Sequence, residues 1–193
     1  MRGYTLVEAL IALAVVSAVS AMSVPTVSTA VARARVRGAA FHLAGRIAAL
    51  RMQAARRGRN VALRFQPDGN DYRYQAFVDE DGDGVSSADI TSGIDTSQGG
   101  SERLGELFEG VRFGLSNTCP LIDGSRAADA NPVRIGSSTL LSVSPVGTAT
   151  SGSLYLRDAA GTFSFAVVIL GATGRTTLVA CDRATGRWSV NAR

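Results

Sequence analysis

The first residues with evident chemistry are Asp79, Asp81 and Asp83, followed by Gly84 in a D-x-D-x-D-G run. Hard oxygens at alternate positions and a glycine for the sharp turn make up the first half of a calcium loop. An EF-hand also needs a bidentate Glu at the twelfth place, where this chain has Ile90, and Asp89 could stand in only in a loop of different shape. Two readings stand: a weak Ca2+ site, or an acidic turn between strands. A second set is basic, comprising Arg175, Arg183, Arg187 and Arg193 with Trp188 nearby. Such guanidinium groups can contact nucleic-acid phosphates or simply line a solvated strand edge. The third set is Cys119 and Cys181, the chain's two cysteines, beside a single histidine, His42. These are too few for a zinc site of several histidines or four cysteines, and the spacing excludes a CxxC redox centre. A Ser-His-Asp triad would have to use His42. An enzyme is not expected.

The elements that must position these groups follow from composition and periodicity. The chain has 193 residues, 46% hydrophobic and 19% charged, which is too apolar for a disordered chain. Its 20 basic residues are all Arg, and the net charge is +4. Every charged residue between Arg33 and Arg64 is an Arg, whereas from Asp68 to Glu109 acids are opposed by Arg73 and Arg103 alone. That segmentation suits a helix leading into a domain with an acidic loop, not one basic nucleic-acid surface.

Val36, Ala40, Leu43, Ile47, Leu50 and Ala54 recur at spacings of four and three, one stripe of an amphipathic helix. Gly58 is a stop, followed by strand-like alternation at Val61, Leu63 and Phe65. His42 falls off the stripe and reads as an exposed helix residue. The helix arginines read as a solvated face, with acidic lipid headgroups as the alternative contact. Further strands are expected at Tyr72 to Val78, Gly110 to Leu115, Thr139 to Val143, Ser153 to Arg157, Thr162 to Leu170, Thr176 to Cys181 and Arg187 to Val190. Phe163 to Leu170 is the most apolar and should be central. Asp68-Gly69-Asn70 reads as a hairpin turn, and the polar, Gly/Ser-rich Ser86 to Glu102 as an exposed loop.

Ahead of the stripe, no residue from Ala9 to Ala32 is charged. At about 1.5 Å rise per residue, such a run is long enough to span a bilayer. Arg2 should hold the short N-terminal stub in the cytoplasm. A secretory signal peptide is the rival reading, with Ala21-Met22-Ser23 as a cleavage site. Against it stands Glu8, a carboxylate at the head of an apolar helix and expensive there without a partner.

Gly3-Tyr4-Thr5-Leu6-Val7-Glu8 and the apolar run behind it resemble the leader junction of type IV pilins and type II secretion pseudopilins. The resemblance implies that prepilin peptidase cuts between Gly3 and Tyr4 and methylates the new amine. Tyr4 departs from the family's usual Phe. Glu8 would then neutralise the N-terminal amine of a neighbouring subunit, since an unpaired charge among packed apolar helices is costly. Pro25 falls where pilins commonly carry a helix-kinking proline. The stretch from Phe41 to Leu63, Ser144-Pro145-Val146-Gly147, and Gly174-Arg175 leading to Cys181 are similar in kind and order to the GspH/FimT branch.

The fold so implied is α+β and type IV pilin-like, a long N-terminal α-helix packed on a C-terminal antiparallel β domain. Its parts would be a leader (1–3), a transmembrane and assembly half-helix (4–32), an amphipathic half-helix (33–58) and a periplasmic β domain (59–193). An oxidising periplasm and an even cysteine count favour a Cys119–Cys181 disulfide over two separate buried thiols. DNA-binding minor pilins of the FimT kind carry a second Arg two residues after the Gly-Arg, where this chain has Thr177. The expected role is a minor pilin near the tip of a type IV pilus, with partners among other pilins, prepilin peptidase and the inner membrane. The alternatives are a minor pseudopilin of type II secretion and a DNA-binding pilin for uptake.

Overall fold

Thr5 and Gly58 bracket a single helix, α1, which spans Leu6–Arg57. A computed structural model of the chain describes residues 5–125 and 131–190, with the backbone alone at 18, 19 and 21–26. Thr5 is extended and its hydroxyl accepts the Glu8 N–H, one of the donors that a helix start leaves without a partner. Gly58 closes the helix at φ 64°, a left-handed conformation that a side chain would resist. Arg56 and Arg57 place positive charge at the carbonyl end. The expected stripe from Val36 to Ala54 is buried, and Ala39 joins it.

Ten strands follow among the described residues. β1 (Val61–Asp68) and β2 (Asp71–Val78) form a hairpin through Gly69 and Asn70, with Gly69 at φ 62°. β3 is Thr96–Arg103, β4 Val111–Phe113, β5 Val133–Ile135 and β6 Leu140–Val143. β7 (Gly152–Asp158), β8 (Ser164–Leu170), β9 (Arg175–Asp182) and β10 (Arg187–Ser189) complete the described strands. One sheet has the order β3-β2-β1-β6; the other runs β10-β9-β8-β7-β4, with β5 on the same edge of β7 as β4. All these pairings are antiparallel. The stripe of α1 packs against β1 and against β7, β8 and β9, so the helix covers both sheets. β8 is central, as its apolar run requires.

The structure corrects the sequence reading in the stretch Ser86 to Glu102. It is not one loop: a short helix, α2, spans Ser87–Ser92, and β3 begins at Thr96. Ser86 starts α2 by accepting the Asp89 N–H at 3.1 Å, and Gly93 ends it at φ 80°. β3 lies at a sheet edge with mostly exposed side chains, so its main chain is ordered by β2 without apolar alternation. A one-turn helix, α3 (Leu104–Leu107), and β5 were also not foreseen.

Candidate assembly surface and flanking sites

The first half of α1 presents its apolar residues outward. Leu6, Val7, Leu10, Ile11, Leu13, Val15 and Val16 are all exposed, Leu6 by 78%. Each such side chain would gain about 1.5–3 kcal/mol on full burial, so this surface needs an apolar environment beyond the chain itself. Glu8 sits in the first turn of the helix, exposed, three residues after its cap. Gly3 and Tyr4 lie outside the described residues. Pro25 falls within the backbone of α1, and its side chain lies outside the described set. Among the described residues no helix is long and apolar enough to cross a membrane; the side chains of 18, 19 and 21–26, inside the expected span, are not among them.

Behind that surface the helix is pinned to β3 by a polar cluster that sequence reading missed. Arg46 Nη2 lies 2.6 Å from Glu102 Oε1, and His42 Nε2 lies 3.6 Å from Glu102 Oε2. The His42 ring packs edge-on to Phe108 with centroids 5.8 Å apart, so His42 is half-buried and not the exposed residue expected. Burial, and next the Glu102 carboxylate, push the Tyr74 phenol beneath this cluster well above its ordinary value. The His42–Arg46 spacing of four put both side chains on one helix face; the position of Glu102 depends on strand pairing that no local pattern shows.

The acidic turn does gather its carboxylates. One ligand oxygen from each of Asp79, Asp81 and Asp83 lies within 4.8 Å of the others, and these are the residues that could hold a cation. Asp79, however, already serves the turn itself. It is buried, and its oxygens accept the Gly82 N–H at 2.6 Å, the Gly84 N–H at 3.0 Å and the Asn60 amide at 3.0 Å. Burial acts to raise its pKa, but these donors outweigh it and hold the carboxyl below the ordinary value. Asp83 is raised by its hydrogen bond to Asp81 and by that neighbour's charge.

Among the described residues, the C-terminal arginines do not form one patch. Arg175 opens β9 and Arg183 follows its end, so at about 3.4 Å per residue they stand roughly 25 Å apart. Arg183 lines a cavity of about 250 Å³ together with Arg33, near the middle of α1 and just ahead of its buried stripe. Gly174, before Arg175, instead packs on Arg51 and on the Gly147 carbonyl, toward the other end of the helix. Arg187 pairs across the β9–β10 hairpin with Asp182, and Arg193 lies outside the described residues.

Cys119 and Cys181 form a disulfide, with Cα atoms 6.2 Å apart. It ties the segment after β4 to β9 over a second small core of Leu115, Leu121, Tyr155, Ala166 and Val179. Trp188 covers that core, donating from Nε1 to the Pro120 carbonyl at 2.8 Å, and the Tyr155 hydroxyl accepts the Ile122 N–H at 3.0 Å.

Residues 1–24 match the family described as the prokaryotic N-terminal methylation motif. Comparisons with curated proteins and with solved structures gave no match. The motif indicates a type IV pilin or pseudopilin-like protein, and a long N-terminal helix on antiparallel sheets is the fold such a protein has. Proteins of this kind are structural subunits, processed by prepilin peptidase and assembled with other pilins.

Proposed function

We propose that the chain is a minor pilin of the GspH/FimT type, a non-catalytic subunit near the tip of a type IV pilus. One observation carries this reading: a single helix buries Val36 to Ala54 in its own domain and leaves Leu6 to Val16 exposed. A surface of that kind is satisfied first by the inner membrane and then by the helices of other subunits. In this scheme the chain is held in the membrane by its first half-helix with the β domain in the periplasm. It is cut after Gly3, and Glu8 pairs with the N-terminal amine of a neighbour in the filament. A minor pseudopilin of type II secretion would use the same parts. A DNA-receptor role through the C-terminal arginines is not favoured, because Arg175 stands apart from Arg183 and Arg187.

The test is a strain lacking the gene, scored together for surface pili and secreted exoproteins. Loss of pili with normal secretion is the expected result. Normal pili with exoproteins stranded in the periplasm would move the chain to type II secretion, and no change in either would sink the assembly role. Complementation with Glu8→Ala should yield a folded, disulfide-bonded protein that is absent from sheared filaments.

A further inference from the structure

Arg112 on β4 and Arg157 on β7 are direct cross-strand partners. Like charges placed directly opposite one another in a sheet are destabilising, whereas an acid opposite an arginine is stabilising. Among the described residues neither guanidinium has a carboxylate within ion-pairing distance. Asp158, next to Arg157, points to the other face of the strand, is buried, and accepts the Phe163 N–H at 2.7 Å. The Nε atoms of both arginines are buried without a hydrogen-bond partner.

The fold nevertheless holds both side chains in place. A Cβ on Gly114 would lie 2.7 Å from Arg157 Nε, and one on Gly161 would lie 3.1 Å from Arg157 Nη1. Arg157 is therefore seated between two positions that carry no side chain. Arg112 Nη2 donates to the Ala159 carbonyl at 3.1 Å, bringing its fork to the same β7–β8 turn. Burial is the first cause that lowers the Arg157 pKa and the Arg112 charge adds to it, while the Asp158 carboxylate acts in the opposite direction. Arg157 shares a strand face with Tyr155, whereas Leu154 and Leu156 face the core under α1. Packing through the helix thus leaves this pair open.

We infer that Arg112, Arg157 and the turn at Ala159–Gly161 form a binding site for a phosphate-type oxyanion. Two planar forks of N–H donors suit the oxygens of a tetrahedral anion, and its charge removes the repulsion between them. The anion can be free phosphate or the phosphodiester of a nucleic-acid strand. The inference does not depend on the pilin reading, since it rests on the β domain alone.

The experiment uses the full chain in neutral detergent, with thermal unfolding followed in sodium chloride and in sodium phosphate at equal ionic strength. Phosphate stabilises many proteins generally, so the readout is the difference between wild type and Arg157→Gln or Arg112→Gln. The expected result is an extra phosphate-dependent rise in Tm for wild type that both variants lack. Phosphate affinity in the variants should fall about tenfold or more, the loss expected on removing a charge-assisted bond. In chloride alone Arg112→Gln, whose side chain is less enclosed by glycines, should be no less stable than wild type. An equal phosphate response in wild type and both variants would overturn the site. If Arg157→Gln fails to fold, Arg112→Gln decides alone. A thymidine oligonucleotide that binds wild type, is competed by phosphate and is lost in the variants assigns the phosphodiester. A phosphate response without oligonucleotide binding assigns the free anion.

Discussion

Arg46 on α1 and Glu102 on β3 approach to 2.6 Å, and the pair fastens the helix to the edge strand of the smaller sheet. Both side chains are about one-third exposed, at 35% and 30%, so solvent screens the interaction in part. Glu102→Gln should lower stability by about 0.5–1 kcal/mol, and a double-mutant cycle with Arg46→Gln should return a coupling of similar size. Urea unfolding of the four proteins measures it. A coupling near zero would make the pair a surface contact without consequence.

Gly174 sits at φ 58°, and a Cβ there would meet the Gly147 carbonyl at 2.6 Å and Arg51 Nε at 2.9 Å. Gly174→Ala should therefore cost about 1–3 kcal/mol. Gly45, inside α1 with open space around it, provides the contrast. Gly45→Ala should raise stability by about 0.5–1 kcal/mol through helix propensity. Opposite signs for the two glycines in the same melting assay are the expected outcome.

The cysteines that form the disulfide are 62 residues apart in the chain. By the chain-entropy estimate, opening a loop of that size removes about 4 kcal/mol. The Cys119→Ser/Cys181→Ser double variant should unfold at markedly lower temperature than wild type. The reductant dithiothreitol should lower the wild-type Tm and leave the variant where it is.

Asp79 and Asp95 should give opposite slopes of stability against pH. The Asp79 pKa is lowered on folding, so its contribution is complete above the unfolded aspartate value of about 3.9 and disappears as pH falls through the folded one. The Asp95 pKa is raised, by burial first, although the Ser86 N–H opposes this. Its contribution is therefore complete below about pH 3.9 and lost as pH rises through the folded value. Asp79→Asn should flatten the acid side of the stability curve, and Asp95→Asn should steepen it. Denaturant midpoints from about pH 2 to about pH 7, on the order of a half-unit apart, measure both.

What the sequence makes legible is whatever local periodicity or chain chemistry dictates. Val36 to Ala54 could be read because one face of a helix must be apolar to be buried, and Gly58 because few other residues end a helix in a left-handed turn. The cysteine pairing followed from their number and the expected compartment. β3 was hidden because an exposed edge strand containing Gly99 and Gly100 has no apolar alternation to betray it. The start of α2 was present in Ser86 and Asp89, a cap and the first-turn acid three residues after it, but was masked by the surrounding polar residues. The meetings of Glu102 with His42 and of Arg112 with Arg157 depend on strand register, which arises only when distant segments pair.

Continuity of α1 from Leu6 to Arg57 fixes an angle as well as a length. Each residue of a helix turns its successor by about 100°, so the azimuth of the clamped stripe around the helix axis is set by counting residues from Glu8. The number of residues between Val27 and Val36 thus works as a phase. Lengthening that stretch by one would swing every surface of the β domain about 100° away from its neighbours in an assembly. Lengthening it by seven would return the domain to within about 20° of its bearing, displaced by roughly 10 Å along the axis.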